Sequence, residues 1–207
     1  MANQLLGVLG GTFDPLHIGH LRTALDVRQA LNLTEVRVIP NYIPAHREQP
    51  FLAAGQRYQL VKKVLDEVPG LQADDREIKR QGISYMIDTL RDLHQQFPQK
   101  HLCLIIGTDA YNSFCQWHQW QEIMQLAHLL VMQRAGVTTM VNKALDQYKT
   151  TDAKDLMKTS AGLVYVQAVC QLEISSTMIR QMIQQKQSIQ FLVPENIRSD
   201  LQTLYEG

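Results

Sequence analysis

The sequence predicts an α/β fold in which a doubly wound parallel sheet is flanked by helices. Short apolar runs rich in β-branched residues alternate with amphipathic helical patterns along most of the 207 residues. The run HLCLIIG, at 101–107, is apolar almost throughout, as expected of a central parallel strand covered on both faces. The length suffices for one large core and is short for two. We therefore expect a single domain over residues 1–207 that ends in a helical segment.

The predicted strands and helices follow one another in regular order. Apolar runs predict strands at 5–11, 35–41, 71–78 (an edge strand), 101–107, 128–134 and 163–169. Helical spacing of apolar residues predicts helices at about 18–31, 55–68, 84–97, 120–127, 175–185 and 194–206. In the second helix, the apolar face would comprise Tyr58, Val61, Val64, Leu65 and Val68. Residues 137–159 are polar with little periodicity, so we expect a helical surface excursion within the domain.

Composition and charge indicate which classes of protein this chain is not expected to belong to. Lysine and arginine together number 20, as do aspartate and glutamate, so the formal net charge is zero. Because binders of long nucleic acids usually carry a basic excess, we expect no nucleic-acid partner, whereas a nucleotide with a few phosphates is compatible. No apolar run could cross a bilayer and no signal peptide is recognisable, so we expect a cytoplasmic protein without a membrane partner. The irregular spacing of the three cysteines predicts neither a zinc site nor a disulfide framework.

A glycine- and histidine-rich stretch, LGGTFDPLHIGHL, follows the first predicted strand. Its glycines lack the spacing of a dinucleotide fingerprint, and no Gly-Lys-Ser/Thr follows as in a P-loop. The H-x-x-H pair lacks the further ligands that a zinc site needs. Gly10 and Gly11 let a ligand approach the backbone, and the next helix directs its positive end toward the loop. We interpret His17 and His20, which would share one helix face, as hydrogen-bond donors to anionic oxygens; two histidines that cap a helix are the alternative.

A second stretch, ISSTMIR, spans Ile174–Arg180. Ser175 and Ser176 are good N-cap residues for the helix that follows. Arg180 in the first turn opposes the helix dipole, a conflict that an anion at the helix end would remove because the arginine could reach over it. A solvated arginine on a helix surface is the alternative. The stretch therefore indicates a second phosphate-binding element.

Both stretches resemble motifs of one superfamily. GGTFDPLHIGH resembles the G-[TS]-F-D-P-x-H-x-G-H loop of the nucleotidyltransferases, the HIGH motif, and ISSTMIR matches their I-S-S-T-x-I-R element. The resemblance implies a Rossmann-like fold and nucleotidyl transfer from a nucleoside triphosphate. It implies that Mg²⁺ enters with the triphosphate and needs no protein ligand, and that His17, His20 and Arg180 are catalytic. By the same resemblance, ATP is bound by Gly10, Gly11, Thr12, Phe13, His20, Ile174, Ser175, Ser176, Thr177 and Arg180.

Four further stretches indicate a branch of the superfamily. IPAHRE (43–48), REIKRQGISYMIDTLRDL (76–93), LIIGTDAYNSFCQWHQWQEI (104–123) and VMQRAG (131–136) resemble segments of bacterial nicotinate mononucleotide adenylyltransferases. The resemblance implies ATP and nicotinate mononucleotide as substrates, with Gly107 and Asp109 near the adenosine. It implies that the mononucleotide is bound by Thr12, His46, Arg47, Tyr85, Met86, Trp117 and Arg134. From the residues alone, Trp117 is better interpreted as a core tryptophan than as a stacking face for a pyridine ring.

The chain departs from that branch at four positions. Ala45 stands where a second proline is common, Arg47 where the family has lysine, Met86 where it has threonine, and His118 where another aromatic residue is common. These departures concern the nicotinate pocket and not the transfer chemistry. Nicotinamide mononucleotide or phosphopantetheine as acceptor, a cytidylyltransferase activity, and a non-catalytic nucleotide sensor are the alternatives. A monomer and a homo-oligomer are both compatible with the sequence.

Overall fold

The computed structural model of the chain describes residues 4–45, 49–134, 142–170 and 172–206. The strands are β1 (Gln4–Gly11), β2 (Glu35–Pro40), β3 (Ile43–Pro44), β4 (Leu71–Ala73), β5 (Ile83–Ser84), β6 (Lys100–Gly107), β7 (Ala127–Arg134), β8 (Lys149–Thr150) and β9 (Val164–Val169). The α-helices are α1 (Ile18–Ala30), α2 (Ala54–Leu65), α3 (Arg76–Arg80), α4 (Met86–Gln96), α5 (Thr108–Ser113), α6 (Trp120–Leu126), α7 (Asp155–Lys158), α8 (Ser176–Gln184) and α9 (Glu195–Glu206). Short 3₁₀ helices cover Phe114–Gln116 and Lys143–Tyr148.

The main sheet has seven parallel strands in the order β4-β2-β1-β6-β7-β9-β8. From β1 the chain first builds outward through β2 and β4, and then returns to add β6 on the other side. The carboxyl ends of β1 and β6 therefore flank the point where the winding reverses, which is where open α/β sheets bind ligands. A separate small sheet pairs β3 with β5 in parallel. The predicted doubly wound α/β fold is confirmed.

Alternating side chains of β1 enter two hydrophobic cores, one on each face of the sheet. Leu5 and Leu9 pack in the first core with the apolar faces of α1, α2, α8 and α9. Leu6 and Val8 pack in the second core with α4, α5 and α6. Because both faces of the sheet are covered, its central strands carry almost no polar residues, as the run at 101–107 indicated.

Two local predictions differ from the structure. The predicted edge strand at 71–78 is a strand only over Leu71–Ala73, and its second part forms α3. On α2, Val61, Val64 and Leu65 are buried as predicted, whereas Tyr58 is only half-buried and Val68 lies beyond the helix end. Arg57 and Leu60 are buried as well, and the spacing of apolar residues gives no sign of a buried arginine.

The predicted surface excursion at 137–159 contributes to the fold over the part that is described, 142–159. Leu145 and Leu156 are fully buried, each in one of the two cores. The short strand β8 extends the sheet by pairing with β9, and only the 3₁₀ helix and α7 are helical as expected. The extent of one domain over the whole chain stays a prediction.

Two buried histidines fix the connection before β9. His101 Nδ1 lies 2.9 Å from the Leu156 carbonyl oxygen, and His128 Nε2 lies 3.1 Å from that of Thr159. His128 Nδ1 accepts a hydrogen bond from the Leu163 N–H at 3.1 Å. Since one nitrogen accepts and the other faces a carbonyl, the His128 ring is neutral with its proton on Nε2. Burial lowers the pKa of His128 to about 4.

This depressed pKa predicts a specific sensitivity to acid. His128 binds a proton in the unfolded chain near its ordinary value of 6.5 and in the folded chain only near about 4. Its contribution is therefore complete above pH 6.5 and is lost as the pH falls toward 4. The free energy of unfolding of the wild type should decrease between about pH 7.5 and about pH 5. In His128→Gln we expect this decrease to be smaller by about 2 kcal/mol, as measured by urea unfolding at both pH values. His94→Gln, at an exposed position on α4, should leave the pH slope of the wild type unchanged; a His128 variant with that same slope would contradict a neutral buried ring.

None of the helices in the described ranges is long and apolar enough to cross a membrane.

Candidate active site

The glycine- and histidine-rich loop lies at the carboxyl end of β1, beside the switch point of the sheet. A Cβ atom on Gly11 would lie 2.8 Å from the Phe13 ring, so this ring can fold over the backbone only because residue 11 is glycine. Phe13 itself has a left-handed backbone, with φ of 49°. A Cβ atom on Gly10 would lie 2.5 Å from Met86 Cε, which places the Met86 side chain against the end of β1. The loop is therefore closely packed on its glycine side.

His17 and His20 are brought together, although not in the predicted way. His17 is the N-cap residue of α1 with extended backbone, and only His20 is helical. The two imidazole rings stack with their centroids 3.7 Å apart and their planes at 26°. The backbone N–H of His17 donates to His20 Nδ1 at 3.4 Å, which leaves Nε2 as the protonated nitrogen of a neutral His20 ring. The predicted helix start near Ile18 is confirmed, so His17 lies just outside the helix and the two histidines do not share a helix face.

His17 is the buried member of the pair, with 5% of its surface exposed. Burial lowers its pKa to about 4, so the ring is neutral at physiological pH. Its Nδ1 atom has no hydrogen-bond partner among the described residues and faces Gly19: a Cβ atom there would lie 3.0 Å from this nitrogen. Stacked cations would repel each other, so the neutral state of His17 is compatible with the close stacking of the two rings.

The contact between Gly19 and His17 leads to a prediction. Gly19→Ala should push the His17 ring out of its position, because the new methyl group would lie 3.0 Å from Nδ1 and 3.1 Å from Cε1. We expect kcat to fall by about tenfold or more, since small misplacements of reacting groups are costly. Gly55→Ala on α2 is a matched control, because a Cβ atom there meets nothing within 4 Å. The control should keep full activity and gain up to about 1 kcal/mol in unfolding free energy. An active Gly19→Ala enzyme would contradict the need for this ring position.

The second predicted motif docks directly on the first. Ser175 caps α8 by accepting the Met178 N–H at 3.2 Å, as its residue type predicted. Ser176 Oγ donates to the Pro15 carbonyl oxygen at 2.9 Å. Arg180 Nη1 donates to the Asp14 carbonyl oxygen at 2.5 Å. Residues about 160 positions apart thus form one surface, and the N-terminus of α8 lies beside the loop before α1.

Asp14 is a buried carboxylate that the sequence analysis did not single out. It accepts hydrogen bonds from the N–H groups of Phe51 at 2.7 Å and Leu52 at 3.2 Å. The Tyr205 hydroxyl of α9 donates to it at 2.6 Å, and burial followed by this hydrogen bond raises the pKa of Tyr205, so the hydroxyl stays protonated. Arg180 Nη1 lies 3.8 Å from its Oδ2 atom. Asp14 therefore joins the first loop to α8, α9 and the segment before α2.

Arg57 is a second residue that the sequence analysis missed. Its guanidinium is fully buried and donates to the carbonyl oxygens of Thr12 at 2.6 Å and Asn41 at 2.7 Å. The Asn41 amide in turn donates to Thr12 Oγ1 at 3.2 Å. A buried cation needs such full pairing to be tolerated. Arg57 thus fixes Thr12 between the ends of β1 and β2, and the only signal in the sequence was a cation next to an apolar helix face.

The residues expected around the mononucleotide form a second cluster. The Tyr85 and His118 rings lie 4.4 Å apart, which joins the start of α4 to the segment before α6. Trp117 is half-buried with its ring centroid 5.4 Å from that of Phe114, so it is neither a core residue nor a free surface residue. Met86 contacts Gly10 of the first loop. Of the described members of the predicted set, Met86 thus lies against the first loop, and Tyr85 contacts the residue that follows Trp117.

Other predicted residues have a less complete description. Gly107 ends β6 and precedes α5, and the exposed Asp109 lies in the first turn of α5. Ile174 lies close to Gly19, which places it beside the HIGH motif. His46 and Arg47 lie outside the described residues. Arg134 is the last residue of β7, and only its backbone is described.

Comparison with known proteins identifies the family. Residues 8–182 match the sequence model of the cytidylyltransferase-like family. A protein from Aeromonas salmonicida, named a probable nicotinate-nucleotide adenylyltransferase, is 40% identical over all of both chains. A protein of the same name from Psychromonas ingrahamii is 39% identical over 94% of this chain and 92% of its own. The chain belongs to the nicotinate-nucleotide adenylyltransferase family. It is therefore a nucleotidyltransferase, and the family resemblance of its motifs is confirmed.

A solved structure of this family has the same architecture. The nicotinic acid mononucleotide adenylyltransferase of Plasmodium falciparum, complexed with NaAD, superposes with a TM-score of 0.69 over 98% of this chain and 96% of its own. The two sequences are only 15% identical, so the likeness concerns the fold. The Rossmann-like fold that the motifs implied is confirmed.

The side chains of this adenylyltransferase that surround both motifs are mainly hydrogen-bond donors. Among the described residues, no group of three or more His, Cys, Asp or Glu side chains is arranged to hold a metal ion. Arg180 and the His17–His20 pair are suited to an oxyanion, because a guanidinium has more N–H groups than its internal contacts use and an imidazole ring carries an N–H group. Asp14 is occupied by four internal contacts.

Proposed function

We propose that the enzyme transfers AMP from ATP to nicotinate mononucleotide, which yields nicotinate adenine dinucleotide and pyrophosphate, a step of NAD biosynthesis. The observation that carries the proposal is the direct docking of Arg180 and Ser176 on the loop that holds the two histidines. A triphosphate bound there would meet cationic and neutral donors from both motifs at once. The full-length relatives named as nicotinate-nucleotide adenylyltransferases support the choice of acceptor.

In the proposed reaction, a 5′-phosphate oxygen of the mononucleotide attacks the α-phosphorus of ATP. The new bond joins the two phosphates, and the bond to the bridging oxygen breaks as pyrophosphate leaves. No protein nucleophile is required, so catalysis consists of positioning and charge stabilisation. His17 and His20 would contact the reacting phosphates. Arg180 and the N-terminus of α8, over Ser175–Thr177, would stabilise the negative charge on the departing pyrophosphate.

Mg²⁺ is the proposed cofactor, bound to the triphosphate. It would supply charge neutralisation on phosphate oxygens. The donor-rich surroundings of both motifs fit a cation held mainly by the substrate, because Mg²⁺ often keeps few protein ligands.

The two ends of the dinucleotide would lie on opposite sides of the first loop. Gly107 and Asp109, at the end of β6, are proposed to contact the adenosine. Thr12, Tyr85, Met86 and Trp117 are proposed to contact the nicotinate mononucleotide, together with His46, Arg47 and Arg134. Met86 replaces the common threonine, so only its backbone could supply a hydrogen bond to the nicotinate carboxylate.

Pyrophosphate release tests the proposed function. The enzyme would be incubated with ATP and Mg²⁺ and, in turn, with nicotinate mononucleotide, nicotinamide mononucleotide and phosphopantetheine. We expect release with nicotinate mononucleotide at the highest kcat/KM. Faster release with another acceptor would overturn the substrate assignment, and release only with CTP in place of ATP would overturn the donor. If no combination of donor and acceptor releases pyrophosphate but ATP still binds measurably, the protein is better described as a nucleotide sensor.

A further inference from the structure

Glu77 is a buried carboxylate near the proposed mononucleotide cluster. Only 3% of its surface is exposed, and it belongs to the stretch that indicated the branch of the superfamily. The Thr89 hydroxyl donates to Glu77 Oε1 at 2.5 Å, and the Ser84 hydroxyl lies near the same carboxylate. Burial raises the pKa of Glu77, while the two hydroxyl hydrogen bonds oppose that rise. Burying a carboxylate costs free energy unless the carboxylate is hydrogen-bonded, so the contacts of Glu77 indicate a structural role for it.

The contacts of Glu77 lead to the first loop. Ser84 Oγ accepts the backbone N–H of Tyr42 at 2.9 Å. The residue before Tyr42 is Asn41, whose amide donates to Thr12 Oγ1 at 3.2 Å. A continuous path therefore runs from the Glu77 carboxylate through two side chains and one backbone segment to Thr12.

The same contacts also fix the start of α4. Ser84 is paired with Pro44 in the small sheet of β3 and β5, and the next residues are Tyr85 and Met86. Thr89, one turn further along α4, is the second hydroxyl donor to Glu77 and itself accepts from Arg80 Nη2 at 3.0 Å. Two points on either side of the Tyr85–Met86 segment are thus tied to one carboxylate. The contacts of α8 and Arg180, by contrast, run to Asp14 and Pro15.

We propose that Glu77 is a positioning residue for the acceptor substrate, which aligns Thr12, Tyr85 and Met86 through Ser84 and Thr89 without itself touching the mononucleotide. The inference rests on the proposed function. In this proposal, Glu77, Ser84 and Thr89 of the stretch 76–93 align the acceptor side of the site and do not contact a phosphate.

Glu77→Gln tests the inference. The glutamine side chain has the same shape, but it is uncharged and its amide nitrogen can only donate, so the hydroxyl groups of Ser84 and Thr89 lose a charged acceptor that accepts at both oxygens. We expect the KM for nicotinate mononucleotide to rise about tenfold, while the KM for ATP changes by less than about twofold. A general loss of structure would raise both values together. Asp92→Asn is the matched control: this exposed carboxylate bonds the other side of Arg80, and its loss should leave both KM values unchanged.

Ser84→Ala provides a second route to the same result. This change breaks the link between Glu77 and Tyr42 and should raise the KM for nicotinate mononucleotide by a similar factor. In the double variant with Glu77→Gln, the KM should be little higher than in either single variant, because both changes interrupt one path. Equal effects on both KM values, no effect, or full additivity would overturn the inference. If the wild-type enzyme releases no pyrophosphate with nicotinate mononucleotide, the proposed function itself is contradicted. Because the wild type is assayed in parallel, this result is distinguished from a failure of the inference about Glu77.

Discussion

Replacing His20 with alanine is expected to lower kcat by about 10²- to 10³-fold, the usual consequence of removing one hydrogen-bond donor from charge that develops in a transition state. His20 stacks on His17 at 3.7 Å, and its Nδ1 faces the His17 N–H. Its protonated Nε2 is thereby fixed as the donor, and a methyl group offers no replacement. The measurement is steady-state pyrophosphate release at saturating ATP and mononucleotide, with the unfolding midpoint in urea recorded for the same preparations.

Two further variants make this result interpretable. His94→Ala removes an exposed imidazole from α4 and should retain the activity of the wild type. His17→Ala removes the ring on which His20 stacks and should also lower kcat, because His20 then loses a fixed orientation. A stably folded His20→Ala enzyme with near-normal turnover would remove His20 from the proposed mechanism.

Replacing Arg180 with alanine is the second change from which we expect a large effect, a loss of about 10²- to 10³-fold in kcat/KM for ATP. The guanidinium donates to the Asp14 carbonyl oxygen at 2.5 Å and to Thr177 Oγ1 at 3.3 Å. It therefore serves two purposes: it holds α8 against the first loop, and it brings a positive charge to the proposed pyrophosphate position.

Arg180→Lys separates these two purposes. Lysine keeps the charge but lacks the planar fork that reaches two acceptors, so an intermediate loss is expected if geometry and charge both count. Arg198→Ala, which breaks an ion pair with Glu195 on α9, should leave the kinetics unchanged and serves as the control. If Arg180→Ala affects turnover with ATP no more than Arg198→Ala does, the proposed contact with pyrophosphate is wrong.

The features that the sequence predicted well are those set by neighbours along the chain. Strand β6 was predictable because the successive apolar residues 102–106 suit a strand buried on both faces, and α8 because Ser175 is a good N-cap. The position of the HIGH motif between β1 and α1 follows from the same local rules. The two-residue strands β3 and β5 were missed because so short a segment carries no periodicity.

The contacts that shape the site could not be predicted, because they join residues distant in the sequence. Arg57 is buried only because the Thr12 and Asn41 carbonyl groups converge on it, 45 and 16 positions away. Glu77 is similarly defined by hydroxyl groups on another element. The stacking of His17 on His20 was not predictable either, because the extended backbone of His17 as the N-cap depends on how the preceding loop packs. Motif resemblance found the residues of the proposed reaction, whereas the residues that hold them were visible only in the fold.

The hydrogen bond between Tyr205 and Asp14 joins residues 191 positions apart. Because translation proceeds from the N-terminus, Asp14 obtains this donor only after the 191 residues up to Tyr205 in α9 have been synthesised. A chain truncated before α9 would keep the HIGH motif and the ISSTMIR helix in its sequence, but the Asp14 carboxylate would lack one hydrogen-bond donor. Such a truncated chain would carry both motifs without one of the contacts that hold the first loop.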